Sequence, residues 1–112
     1  MDSAPERHSA ATNARVFGEL WTSLASLLRS YCAAHGLHDD RHAMVQADEE
    51  EITVGHGEKW LRLERDVAIL TWTRENGSSG RMEISEAGRL RSGTREEEMD
   101  LAAEAWAREL MR

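Results

Sequence analysis

The stretch KWLRLERDVAILTWT, from Lys59 to Thr73, decides the fold. In its first half, leucines at every second position alternate with large or charged residues, and this period predicts a β-strand with two different faces. The leucines are Leu61 and Leu63, and the residues around them are Trp60, Arg62 and Glu64. Arg65-Asp66 predicts a short turn, and residues 67–73 form the most β-prone segment of the chain. We therefore expect two consecutive strands.

The same alternation predicts further strands on both sides of this stretch. They are residues 42–47, 52–55, 81–85 and 89–91. Turn residues separate them, and Asn76-Gly77 is a strong hairpin signal because both residues tolerate positive φ. Every connection is too short for a crossover, so we expect an antiparallel meander of four to six strands.

Helices are predicted at both ends of the meander. From about Thr12 to Ala34, apolar residues recur every three or four positions and form one helical stripe, which Gly36 ends in a left-handed conformation. The stripe consists of Phe17, Leu20, Trp21, Leu24, Leu28 and Tyr31. Residues 94–97 match a capping box, which predicts the start of a second helix. Its apolar face consists of Met99, Ala102, Ala103, Trp106 and Leu110.

Two amphipathic helices and one sheet predict an α+β fold, a two-layer sandwich with both helices on the leucine face of the sheet. A chain of 112 residues supports one domain, which we place at residues 11–112. Residues 1–10 are small and polar and contain the only proline, a composition that predicts a flexible tail.

Charge and cysteine content narrow the class of protein. The chain has 14 basic and 21 acidic residues, a net charge of −7 that repels both nucleic acid and anionic membranes. We therefore expect neither as a partner. Residues 20–28 are apolar, but Glu19 and Arg29 bracket them closely, which indicates a mature helix rather than a signal peptide. The single thiol, Cys32, fits a cytoplasmic protein.

The sheet face that carries Trp60 is the predicted binding surface. Two helices that cover the leucine face leave nothing to cover Trp60. Four charged residues should surround it: Arg62, Glu64, Arg81 and Glu83. Such a surface is most often used for a two-fold homodimer, so the expected partner is a second copy or another protein.

One strand leaves the assignment of the faces open. Between residues 67 and 73, one face would carry Ala68, Leu70 and Trp72, and the other Val67, Ile69, Thr71 and Thr73. Both faces are fairly apolar, so the pattern does not decide which one packs on the helices.

Histidines give a weaker, alternative site. His35, His38 and His42 fall within eight residues, beside Cys32 and two aspartates, and these are possible metal ligands. Their spacing matches no strong metal motif, and solvated loop histidines are the simpler interpretation. Cys32 and His35 also have the residue types of a nucleophile and its base, but a cysteine on an apolar helix is usually a small core residue.

No motif for catalysis or cofactor binding is present in the sequence, which lacks a nucleophile elbow, a phosphate loop and a dinucleotide fingerprint. We therefore expect no catalysis and no cofactor. The expected function is a protein-binding or assembly domain that dimerises through the open sheet face. The alternative is a small-molecule- or metal-binding protein that uses the cleft between sheet and helices or the histidine segment.

Overall fold

The computed structural model describes residues 3–37 and 42–112, with side chains for 14–37 and 42–112. Helix α1 (Ser3–His35) precedes seven strands, and helix α2 (Met99–Leu110) follows them. The strands are β1 (Met44–Ala47), β2 (Glu51–His56), β3 (Lys59–Asp66), β4 (Ile69–Arg74), β5 (Ser79–Ile84), β6 (Arg89–Ser92) and β7 (Arg95–Glu98). The predicted α+β class is confirmed.

The strands lie side by side in chain order, and each neighbouring pair is antiparallel. The predicted meander is therefore confirmed, but the sheet has seven strands instead of four to six. The additional strand is β7, which occupies the segment predicted to begin the second helix.

The capping box predicted at residues 94–97 is wrong. Helix α2 begins at Met99, and its N-cap is Glu98, which has extended backbone angles (φ −65°, ψ 140°) and makes no side-chain capping hydrogen bond. In β7, Glu96 and Glu98 lie opposite Arg91 and Arg89 of β6. These cross-strand pairs of opposite charge favour a strand over an added helical turn.

Both helices pack on one face of the sheet, which we call the covered face. Side chains from β2 to β6 on this face form a single core with the helices: Ile52, Val54, Leu61, Leu63, Leu70, Ile84 and Leu90. Leu61 and Leu63 are 1% and 0% exposed, and burial of each leucine contributes about 1.5–3 kcal/mol. The sequence-based prediction of a leucine face beneath two helices is confirmed.

The apolar residues predicted on the helices supply the other half of the core. On α1, Phe17, Trp21, Leu24 and Leu28 are buried, and on α2 all five predicted residues are buried. Helix α1 begins at Ser3, well before Thr12. The flexibility predicted for residues 1–10 stays a prediction, as does the domain boundary that follows it.

Arg65 fixes one end of this arrangement. Its Nε and Nη2 atoms donate to the Glu49 carbonyl at 3.1 and 2.8 Å, and Nη1 donates to the Val67 carbonyl at 3.1 Å. The guanidinium lies 5.8 Å from the centre of the Trp21 ring, and the Trp21 indole donates to the Asp48 carbonyl at 2.9 Å. One arginine thus joins α1 to the β1–β2 and β3–β4 turns.

Gly36 ends α1 as predicted, but for a different reason. Its φ is not among the positive values of the described chain. A Cβ at this position would lie 2.7 Å from Cε of Met111 and 3.1 Å from the Cys32 carbonyl oxygen. Glycine here allows the close approach of α1 to Met111, whose terminal methyl would have to move to admit a Cβ.

Alanine substitutions at Gly18 and Gly36 separate the effect of backbone entropy from that of close packing. Gly18 lies within α1, and a Cβ there would meet no atom within 4 Å. Gly18→Ala should raise the free energy of unfolding by about 0.5–1 kcal/mol, because alanine loses less backbone entropy in a helix. Gly36→Ala should lower it by up to about 1 kcal/mol, because the Met111 methyl must move aside and the contact with the Cys32 carbonyl is tight. Urea denaturation measures both, and equal shifts in the same direction would contradict the packing argument.

Candidate functional site

The candidate site is the side of the sheet opposite the helices, which we call the open face. The alternation along β3 places Leu61 and Leu63 in the core and turns Trp60, Arg62 and Glu64 the other way. No described helix packs on this open face. The position predicted for Trp60, outside the helix-covered side, agrees with the structure.

The register brings the five predicted site residues onto this one face. Glu64 of β3 lies opposite Thr71 of β4, and Thr71 lies opposite Arg81 of β5. Glu83 lies opposite Ile69, two residues further along the same two strands. Trp60 and Arg62 complete the set on β3.

Trp60 is half-buried, because a neighbouring arginine lies over it. The Arg62 guanidinium carbon is 5.5 Å from the centre of the Trp60 ring, a distance typical of a cation–π contact. The Arg62 Nε atom also lies 3.5 Å from Oε1 of Glu51 on β2. Exposed pairs of this kind add little stability, so their effect here is to order the two side chains.

The middle strand of the open face was not assigned from the sequence. Ile69, Thr71 and Thr73 form a ridge along β4, whereas Leu70 is buried and Trp72 packs on the core. The sequence analysis places the turn before β4 at Arg65-Asp66, and this prediction is wrong. A two-residue turn at Val67-Ala68 sets Asp66 opposite Ile69 and hence Leu63 opposite Trp72. The apolar content of the open face therefore lies mainly in Trp60, Ile69 and, at the β1 edge, Met44.

The predicted histidine segment is only partly described. His38 lies outside the described residues. His35 Nε2 lies 3.3 Å from Oε1 of Glu104 on α2, and His42 lines a cavity between α1 and β1. Within residues 14–37 and 42–112, no three His, Cys, Asp or Glu side chains form a group that would hold a metal ion.

Cys32 lines the same cavity, of about 490 Å³, but its thiol is buried. Burial raises the pKa of the Cys32 thiol, which disfavours the nucleophilic thiolate. His35, three residues further on, contacts Glu104. This arrangement agrees with the prediction that Cys32 is a small core residue.

A second cleft lies where the C-terminus of α2 meets the sheet. Its volume is about 100 Å³, below the roughly 300–1,000 Å³ typical of small-molecule sites. Arg74 bridges it: its Nη2 is 2.9 Å from Oε2 of Glu109, and its guanidinium stacks 4.9 Å from the centre of the Trp72 ring. Lys59 Nζ donates to carbonyls of Glu109 and Arg112, where a cation favours the negative end of the helix dipole. These contacts join the sheet to α2, and the use of this cleft as a small-molecule site stays a prediction.

Comparisons with protein-family models, with curated proteins and with solved structures gave no match. In the described part of the chain, no helix has both the length and the apolar character needed to cross a membrane.

A polar contact between the helices gives a pH-dependent prediction. The Tyr31 hydroxyl donates to Oδ1 of Asp100 at 2.6 Å, and this hydrogen bond is the main cause that raises the pKa of Tyr31 above its ordinary 10.0. The protonated phenol is the donor, so its contribution to stability is complete below pH 10 and is lost as pH rises through the higher folded-state value. Tyr31 is the only tyrosine.

Absorbance at 295 nm should therefore follow this single group. We expect a titration midpoint above 10 in the folded protein, near 10 in urea, and lower in Asp100→Asn than in the wild type. The melting temperature of the wild type should fall more steeply above pH 10 than that of Tyr31→Phe. A folded-state midpoint at or below 10 would contradict the contact.

Proposed function

We propose that this chain is a protein-binding and assembly domain without catalytic activity, and that its open face holds a second copy of the chain. The observation that supports this proposal is the position of two opposite charges on either side of the central strand. Glu64 and Arg81 flank Thr71 in one row across the sheet. Adjacent strands are about 4.8 Å apart, so the two charges are equally distant from β4.

A two-fold axis parallel to β4 makes this row self-complementary. Rotation about such an axis exchanges left and right, so Glu64 of one copy faces Arg81 of the second copy, and the reverse pair forms by symmetry. Because β4 is the fourth of seven strands, the same rotation superposes the whole of one sheet on the other. The two sheets then overlap over their full width, with Glu64 opposite Arg81 in the Thr71 row and Asp66 opposite Glu83 in the Ile69 row.

The centre of the face suits sheet-on-sheet packing. The ridge of Ile69, Thr71 and Thr73 meets its own counterpart across the axis, and packed sheets lie about 10 Å apart. Isoleucine and threonine methyl groups supply apolar contact there, while threonine hydroxyls retain hydrogen-bond partners. Trp60, ordered beneath Arg62, lies at one end of this region.

Local neutrality supports self-association by a chain of net charge −7. Two such chains repel each other, so a contact surface must not add to the repulsion. The charged residues predicted around Trp60 are two arginines and two glutamates: Arg62, Arg81, Glu64 and Glu83. Asp66 adds a third carboxylate on β3, opposite Ile69. The centre of the open face is therefore close to neutral, while most of the excess acid lies elsewhere.

Charge exchange tests the proposal. Glu64→Arg and Arg81→Glu each place like charges opposite one another, so each should raise the dimer dissociation constant about tenfold or more. The double variant E64R/R81E restores opposite charges and should return the constant to within about threefold of the wild-type value. Sedimentation equilibrium at micromolar concentration measures all four proteins.

Glu86→Arg is the matched control, since it makes the same charge change as Glu64→Arg at an exposed turn residue. It should leave the dissociation constant within about threefold of the wild-type value. A wild-type mass of 12.7 kDa at these concentrations would overturn the dimer. Failure of the double exchange to restore association would overturn the proposed axis.

A further inference from the structure

The two edges of the sheet are unlike. The outer edge strand β7 has the sequence REEE, and charged residues on an edge discourage pairing with another chain. At the opposite edge, β1 has the sequence MVQA and carries no charge. Within the described chain, β2 is the only strand that pairs with β1. One edge of the sheet is protected and the other is available.

The backbone of β1 presents donors and acceptors on its outer side. The Asp48 amide donates to the Glu51 carbonyl at 2.9 Å, which identifies this pair as hydrogen-bonded. Opposite pairs in an antiparallel ladder alternate, so Gln46 and Met44 also turn their backbone groups towards β2. Val45 and Ala47 consequently turn their N–H and C=O groups outward, where an added strand would bind.

Two cavities between β1 and α1 lie beside these outward-turned residues. One, of about 740 Å³, is lined by Ala47, and the other, of about 490 Å³, is lined by Val45. Val45 and Ala47 are two positions apart, which corresponds to about 6.6 Å along a strand. Side chains at alternate positions of an added strand have the same spacing and would point into the two cavities in turn.

Helix α1 leaves room for those side chains because its residues along the cavities are mostly small. The small ones are Ala14, Gly18, Thr22, Ala25, Cys32 and Ala33, and the larger ones are Arg15, Glu19, Trp21 and Arg29. At Gly18 a Cβ would meet no atom within 4 Å. The groove thus combines an unpaired strand edge with unfilled space on the covered side.

Exposure and charge at this edge indicate what would bind. Leu37, which is 76% exposed, lines the smaller cavity of the groove. Asp48, Glu49 and Glu50 are exposed directly after β1. An antiparallel added strand would begin beside these carboxylates, so basic residues at its N-terminal end would be complementary to them.

We propose that the outer edge of β1 and the adjoining α1 groove bind an extended segment of a partner protein, with alternating apolar side chains and basic residues at its N-terminal end. Backbone hydrogen bonds to Val45 and Ala47 provide affinity, and the two cavities select the apolar side chains. The proposal is independent of the open face, since no residue of the Glu64–Thr71–Arg81 row takes part.

The test uses ¹⁵N-labelled protein and the acetylated, amidated peptide Lys-Lys-Val-Thr-Val-Thr-Val. We expect a dissociation constant below about 1 mM, with chemical-shift changes in residues 43–49 and along the groove side of α1. Val45→Pro removes an outward donor without removing a bond to β2 and should weaken binding tenfold or more. Gly18→Leu fills the larger cavity and should have the same effect in a folded protein.

Matched controls separate this site from other surfaces. Ser23→Leu makes a similar change on the exposed side of α1 away from the groove and should leave the affinity unchanged. Glu64→Arg should also leave it unchanged, so failure of the open-face dimer is distinguished from failure of this site. Absence of shifts at β1, shifts confined to β7 or the open face, or β1 shifts that depend on protein concentration without peptide would overturn the proposal. The last result would identify a second copy as the occupant.

Discussion

The pleat of β3 is the constraint on which the rest of the structure depends. Its leucines lie 1% and 0% exposed beneath the helices, and the residues between them lie on the other side. A register shift of one residue would exchange the faces and place Arg62 and Glu64 in the core without partners. The cost of burying those charges fixes the register of β3, and through the short turns it fixes β2 and β4 as well.

Because both helices cover one face of the sheet, the side chains of the other face must be compatible with water. The chain achieves this on the open face mainly with threonines and paired charges, such as Arg62 with Glu51 and Arg89 with Glu98. Trp60 is the exception, and Arg62 lies over it. Such pairs also reduce the net charge of the face, which is the property on which the proposed self-contact depends.

The sequence predicted the core and the order of most elements, because their periods of two and about 3.6 residues are strong and differ from each other. The sequence-based prediction failed at residues 94–98, where the same residues match a helix capping box and form an edge strand. There the outcome depends on Arg89 and Arg91 in the preceding strand, which the four-residue capping pattern does not include. It was also undecided at β4, because both faces are apolar and only the pairing with β3 selects one. The five site residues were therefore placed on one face, whereas Thr71 at its centre was missed.

The two proposed surfaces are compatible within one assembly. A two-fold axis parallel to β4 sets β1 of one copy over β7 of the other, because these strands are equally distant from the centre of the sheet. Each uncharged edge then lies on an opposite side of the dimer, and each α1 groove faces away from the contact between the sheets. Dimerisation would leave the β1 edge of each copy accessible. The topology therefore predicts a stoichiometry of one extended segment for each copy. The charged β7 edge of the second copy would lie beside each occupied groove.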